Sequence, residues 1–271
     1  MATIGVFDSG VGGLSVLRDL LRQIPSARCV YLADNAFAPY GERTVEAIQT
    51  RADVITDWLC EQHRIDALVI ACNTATAHAV DRLRQRYPDL PIIGVEPALK
   101  PAATLSTTGL IGVLATRATL NSERFATLRD RVQRAEASRP HFFCQACDGL
   151  ADAIERQDAP SIELLSQRYL DGLWQSTPPG RRIDTVVLGC THYPFAREVL
   201  QAACPPGVEL IDTGAAVARR VKTLLGLPDG PGAGATVPNE PLFFSTGAAS
   251  PLSEAVQRWL ELVLPVEQWR E

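Results

Sequence analysis

Two cysteines stand in matched contexts. Residues 64–72 read Arg-Ile-Asp-Ala-Leu-Val-Ile-Ala-Cys and residues 182–190 read Arg-Ile-Asp-Thr-Val-Val-Leu-Gly-Cys, identical at five of nine positions. Each apolar run ends on a thiol followed by small polar residues, Cys72-Asn73-Thr74 and Cys190-Thr191-His192. A thiolate takes a proton and a thiol returns one. Two such groups on opposite faces of one carbon would remove a proton from one side and deliver another to the far side, which inverts a stereocentre. A lone buried cysteine is ordinarily a small apolar filler. The shared Arg-Ile-Asp lead-in and the shared terminal thiol set this pair apart.

Other groups supplement the thiols. Asp8-Ser9-Gly10-Val11-Gly12-Gly13 follows a strand-like run and opens a helical one. Its glycines do not fit the dinucleotide spacing, but a helix start attracts anions, so the turn suits a small amino-acid ligand. Asp8 would meet an ammonium group or orient a nearby thiol. His192, two residues after Cys190, is the histidine in the strongest context; His63, His78 and His141 show no ligand spacing. Cys144 and Cys147 form a Cys-x-x-Cys pair without a second pair to complete a ligand set, so no zinc site and no metal ligand set is expected.

These residues need rigid positions, and the surrounding pattern supplies them. Short β-branched runs (3–7, 29–32, 67–71, 92–95, 110–114, 185–188 and 209–211) alternate with helical stretches such as 14–23, 44–63 and 75–87. Uniformly apolar strands between helices predict parallel βαβ units, an α/β doubly wound fold. At the offset of the cysteine repeat residues 92–95 match 210–213, and at a shorter offset residues 4–9 match 111–116. Three strand ends recurring in order predict two related lobes, with ligands bound beyond the carboxyl ends of the strands. Residues 226–240, rich in Gly and Pro, read as a surface loop.

Composition narrows the class. The chain has 271 residues, 46% apolar, with net charge −5 and no long basic run, so nucleic acid is not an expected partner. No apolar segment reaches membrane-spanning length and no secretory signal opens the chain, which predicts a cytoplasmic protein with reduced thiols and no membrane partner. Among 26 basic residues only Lys100 and Lys222 are lysines, and neither sits in a motif.

At Asp8–Gly13, Pro39–Arg43, Ala71–Thr76 and Gly189–Pro194, together with 115–119, 210–221 and 243–250, the chain resembles the glutamate racemases of the aspartate/glutamate racemase superfamily. The resemblance runs essentially end to end. It implies interconversion of L- and D-glutamate without pyridoxal phosphate, metal or ATP, supplying D-glutamate for peptidoglycan. The scarcity of lysine agrees, since a pyridoxal enzyme needs a Schiff-base lysine. By resemblance, Cys72 deprotonates D-glutamate with help from Asp8, and Cys190 deprotonates L-glutamate with help from His192. The segment 146–155 corresponds to the family stretch ending in a site glutamate, here Glu155, although Asp148 and Asp152 replace the family's prolines. Ser9, Tyr40, Gly41, Asn73, Thr74, Thr116, Thr119 and Thr191 map onto substrate contacts, as do Asp8 and His192. The resemblance also implies one lobe from residues 1–97 and 208–271, a second from 98–207, an active site in the cleft between them, and a homodimer.

Three other readings fit part of the pattern: a sister racemase acting on aspartate, a non-catalytic binder on the same scaffold, and a thiol redox protein using Cys144 and Cys147. Turnover of glutamate against aspartate separates the first. Retention of both repeat cysteines with their polar neighbours argues against the second.

Overall fold

Among the described residues every strand ladder is parallel, so each sheet carries its strand carboxyl ends along one edge. A computed structural model describes residues 1–136, 139–228 and 239–270. It divides into two compact units, Met1–Val95 with Gly214–Glu271, and Glu96–Thr213.

The first unit begins with β1 (Thr3–Asp8), α1 (Leu14–Gln23), β2 (Arg28–Ala33), α2 (Val45–His63), β3 (Ala67–Ile70), α3 (Asn73–Arg86) and β4 (Ile92–Gly94). The second unit contains α4 (Leu99–Leu105), β5 (Leu110–Ala115), α5 (Arg117–Leu120), α6 (Glu123–Ala135), β6 (His141–Ala146), α7 (Leu150–Arg156) and α8 (Ala159–Ser176). It closes with β7 (Thr185–Leu188), α9 (Arg197–Ala202) and β8 (Glu209–Ile211). The chain then returns to the first unit through α10 (Gly214–Leu224), β9 (Leu242–Ser245), α11 (Ala249–Leu260) and β10 (Val266–Gln268). Among the described residues, no helix is long and apolar enough to cross a membrane.

The first sheet runs β10-β9-β2-β1-β3-β4 and the second β6-β5-β7-β8. The second order is thus the first with β9 and β10 removed from its edge. Registers agree as well: Ile4 pairs with Ala67 in one sheet, and Ile111 with Thr185 in the other. Leu68 pairs with Ile92 as Val186 pairs with Leu210. The internal repeat is therefore a repeat of topology and of register.

Both faces of each sheet are covered, as uniformly apolar strands require. In the first unit, Phe7, Leu32, Leu68 and Ile70 pack with Ile48, Ile55 and Leu59 of α2 and Ala79 and Leu83 of α3. The alternate residues Ile4, Val6, Tyr31 and Val69 are equally buried, and α1 packs with α10 and α11. In the second unit, Ile111, Val113 and Val187 meet Leu99 and Ala102 of α4 and Phe125, Leu128 and Val132 of α6.

The shared lead-in acts at the other end of the strands. A Cβ on Gly5 would come within 2.9 Å of Ile65, and one on Gly112 within 3.6 Å of Ile183, so the repeated isoleucine lies over the repeated glycine in both units. The repeated aspartate ties the strand entrance. Asp66 accepts from the Thr3 amide at 2.7 Å. Asp184 accepts from Ser106 Oγ at 2.6 Å and from the Thr107 amide, Thr107 Oγ1 and the Thr108 amide, each at 2.8 Å.

Three strands, β6, β9 and β10, were not among the runs expected from sequence. The three-residue β10 lies at a sheet edge and is mostly exposed; β6, at the edge of its own sheet, is only partly buried, and the apolar β9 has four residues. The lobe crossings also differ from those expected. They fall at Val95/Glu96 and Thr213/Gly214 rather than after 97 and 207, because β8 hydrogen-bonds to β7 and so belongs to the second unit. Of the loop expected over 226–240, residues 229–238 lie outside the described residues.

Asp184 makes this architecture testable. Burial alone would raise its pKa, but the Ser106, Thr108 and Thr107 hydrogen bonds outweigh burial and hold it at about 2. A depressed carboxylate stabilises the fold above its unfolded pKa, and the contribution disappears as pH falls through the folded value. Asp184→Asn should lower stability by about 1 kcal/mol at neutral pH, the shift being discounted for solvent screening, with the gap to wild type closing as pH approaches about 2. Urea unfolding across pH checks this; a gap that does not change with pH would show that the charge is not what matters.

Candidate active site

Parallel sheets present their strand ends on one edge, and in both units the predicted residues gather there. In the first unit Asp8 ends β1, and Cys72 follows β3 by two residues. The Ala71 amide donates to the Phe7 carbonyl at 2.8 Å, extending the ladder and bringing the two strand ends together. Asp8 is fully buried. Its Oδ1 accepts from the Ser9 amide at 2.6 Å and from Ser9 Oγ at 3.2 Å, and its Oδ2 accepts from the Gly13 amide. The anion held by this turn is therefore the protein's own Asp8, which also satisfies a free amide at the start of α1. Gly13 must be glycine, because a Cβ there would sit 2.7 Å from Asp8 Cβ and 2.9 Å from the Tyr31 hydroxyl.

Cys72 occupies the N-cap of α3. Its sulfur accepts from the Ala75 amide at 3.4 Å and donates to Ser9 Oγ at 3.7 Å. An amide donor at a helix start stabilises negative charge on sulfur. Asn73 and Thr74 open the same helix and are buried, and Asn73 Oδ1 has no hydrogen-bond partner among the described residues. Thr76 Oγ1 donates to the Ile70 carbonyl at 3.2 Å and accepts from the Val95 amide at 3.0 Å, joining the ends of β3 and β4. Tyr40 is buried in the same cluster as Cys72, while Gly41 is exposed on the 3-10 turn Tyr40–Glu42.

In the second unit a linear arrangement follows β7. Cys190 Sγ lies 3.8 Å from His192 Nδ1, and His192 Nε2 lies 3.0 Å from Glu155 Oε2 on α7. Burial works against a charged His192, but hydrogen bonds to Cys190 and Glu155 and their negative charge outweigh it, raising its pKa well above the ordinary value. Burial likewise opposes Glu155 ionisation, and His192 overcomes it, so the carboxyl pKa falls. Both shifts favour an imidazolium donating from both ring nitrogens. The altered positions before Glu155 do not disturb this arrangement: Asp148 pairs with Arg117, and Asp152 with Arg156 at 2.9 Å, both on the surface. Thr116 and Thr119 meet at 2.9 Å through their hydroxyls at the start of α5, and Thr191 is buried beside Cys190.

One group escaped the sequence reading, and a second was read there only as half of a Cys-x-x-Cys pair. Asp34 directly follows β2, one residue beyond the Ala33 that pairs with Asp8 at the end of β1, and it is buried against Arg51 and Tyr40. Its counterpart in the second unit is Cys147: the amides of Asp34 and Cys147 bond the Asp8 and Ala115 carbonyls at 2.9 and 3.0 Å. Cys147 is buried, and burial pushes its thiol pKa up, whereas Cys144 is exposed on β6. The repeat itself would have located both positions, had β6 been recognised.

Two parallel α/β units, each ending its third strand on a polar-flanked cysteine, define a class, and similarity to known proteins agrees. Residues 4–221 match the family model described as Asp/Glu/Hydantoin racemase. The chain belongs to that family of amino-acid racemases, and within it to the glutamate racemases. It is 50% identical over 226 residues to a glutamate racemase from Pseudomonas syringae pv. tomato, covering 83% of this chain and 78% of that one. A glutamate racemase from Pseudomonas paraeruginosa is 43% identical over 269 residues, covering 98% and 93% of the two chains. Among solved structures, the Escherichia coli glutamate racemase in complex with L-glutamate and the activator UDP-MurNAc-ala superposes with a TM-score of 0.80 at 32% identity, covering 98% and 97%. A Bacillus anthracis glutamate racemase isoform superposes with a TM-score of 0.82 at 30% identity, covering 99% and 97%.

The His192–Glu155 pair gives a direct test. A raised histidine pKa contributes stability fully below its unfolded value, and that stability is lost as pH rises through the folded value. Glu155→Gln removes the anion, so the His192 titration midpoint should fall relative to wild type. Nitrogen-15 NMR of the imidazole reads the midpoint directly, and an unshifted midpoint would mean that Glu155 does not hold the charge.

Proposed function

We propose that this protein interconverts L- and D-glutamate by two-base proton transfer between Cys72, Cys190 and the substrate α-carbon. The observation that carries the reading is the duplication itself: topologically equivalent strands each deliver a buried cysteine into polar surroundings. With D-glutamate, the Cys72 thiolate takes the α-proton, and the Cys190 thiol donates its proton to the opposite face. The product is L-glutamate, with Cys72 as thiol and Cys190 as thiolate. The reverse reaction begins from that state. Asp8 supports proton transfer at Cys72, and the His192–Glu155 pair supports Cys190. Ser9, Asn73, Thr74, Thr116, Thr119 and Thr191 provide hydroxyl and amide groups for two carboxylates and one ammonium, and Tyr40 and Gly41 complete the contacts. The buried Asn73 oxygen is an acceptor suited to an ammonium hydrogen.

We further propose that the reaction needs no cofactor, that the enzyme works in the cytoplasm as a homodimer, and that its D-glutamate enters peptidoglycan synthesis. Glutamate, rather than aspartate, is the substrate assigned.

Isotope exchange tests the two-base reaction. In deuterated water stopped early, product should carry deuterium at the α-position while recovered substrate stays protiated. Return of the original proton to product would indicate a single base. Cys72→Ala and Cys190→Ala should each abolish racemisation in both directions, because one face loses its acid or base. Near wild-type turnover of either variant, followed by circular dichroism of glutamate, would return that cysteine to a packing role. Enzyme dialysed against a chelator and treated with a carbonyl-trapping reagent should retain full activity. Loss restored by a metal or by pyridoxal phosphate would overturn cofactor independence.

A further inference from the structure

The reaction as written uses Tyr40 and Gly41 but leaves the buried ion pair beside them without a role. Asp34 is fully buried. Arg51 from α2 grips its carboxylate with Nε on Oδ2 and Nη2 on Oδ1, both at 3.0 Å. The same Oδ2 accepts the Tyr40 hydroxyl at 2.6 Å. Arg51 is itself restrained, with its guanidinium carbon 3.9 Å from the Phe37 ring centroid and 5.9 Å from that of Trp269.

Stability alone does not account for this arrangement. Burying an ion pair costs desolvation that its attraction barely repays, and apolar residues of similar volume would serve a core at least as well. What the pair supplies is direction. A carboxylate fixed at both oxygens by a planar guanidinium leaves a defined lone pair for the phenol. That bond sets the Tyr40 ring, and with it the turn Tyr40–Glu42, at the strand-end edge where Asp8 and Cys72 lie. The Asp34 amide, bonded to the Asp8 carbonyl, joins the pair to the same edge.

We infer that Arg51 and Asp34 are positioning residues for racemisation, holding the substrate-contact turn in place through the Tyr40 hydroxyl. The inference rests on the reading of Tyr40 and Gly41 as substrate contacts. It assigns the phenol a fixed donor role toward Asp34 rather than an acid role toward the thiol. Burial and the Asp34 carboxylate, which both push the Tyr40 pKa up, agree with that role.

The test compares full-length wild type with Arg51→Met, Arg51→Lys, Asp34→Asn, Tyr40→Phe and the double variant Arg51→Met/Tyr40→Phe. KM and kcat are measured with both enantiomers, alongside thermal melting. Arg51→Met and Asp34→Asn should raise KM roughly tenfold in both directions with kcat within about threefold of wild type. Arg51→Lys should recover part of the loss, since an ammonium keeps the charge but not the two-point grip. The double variant should be little worse than the poorer single one, because both changes cut one chain of contacts. If Arg51→Met does not fold, Arg51→Lys and Asp34→Asn carry the same comparison. Unchanged KM in folded variants, additive losses in the double variant, or a kcat loss confined to the direction that begins at Cys72 would each overturn the positioning role. Absence of wild-type glutamate turnover overturns the reaction and the inference together, whereas wild-type turnover with a flat KM across the variants overturns the inference alone.

Discussion

Side-by-side pairing of the first and third strands in one parallel register underlies the strand-end cluster of each unit. Because β1 and β3 run together, Asp8 and Cys72 must emerge at one edge; because β5 and β7 do so in the same register, Thr116 and Cys190 emerge together. A register slip of one residue would turn each strand's side chains to the opposite face and separate these groups. The register is secured at the far end of the strands, where Asp66 and Asp184 tie the entrance and Ile65 and Ile183 cover Gly5 and Gly112. Residues at the far ends of the strands thus determine where the strand-end groups stand.

The two strand-end clusters solve different electrostatic problems. Around Cys72 the negative charge belongs to Asp8, which is wrapped by the amides of its own turn, while a separate helix-start amide faces the sulfur. Around Cys190 the groups are linked in series, with an imidazole between sulfur and carboxylate. A buried imidazole accepts charge only if a partner repays its lost hydration, and Glu155 is that partner. The units share a fold and a thiol position without sharing the groups that serve the thiol.

The fold class, seven of the ten strands among the described residues and the thiol-bearing repeat were legible in the sequence because buried parallel strands are uniformly apolar and end in distinctive polar motifs. The unread parts have physical reasons. The partly buried β6 and the mostly exposed β10 lack a continuous apolar run, and β9, Leu-Phe-Phe-Ser, holds no β-branched residue to mark it as a strand. The pairing of Asp34 with Arg51 spans 17 positions and depends on α2 lying over the sheet, which no local pattern reports. Glu155 was placed through resemblance alone. Its contact with His192 becomes evident only when α7 is seen beside the turn after β7, across 37 residues.

The order in which the chain supplies its pieces has a consequence for how it comes to be folded. The second unit is one uninterrupted segment, whereas the first begins with residues 1–95 and is completed by residues 214–271. β9 must find β2, and α10 must find α1, after the whole intervening unit has been made. Contacts of such long sequence separation form slowly, since the closure entropy precedes the reward. During synthesis the second unit can therefore complete its core while the first still shows the open edge of β2 and the unpartnered apolar side of α1. The inserted unit is positioned to mature first, and the unit bearing the N-terminus to mature last.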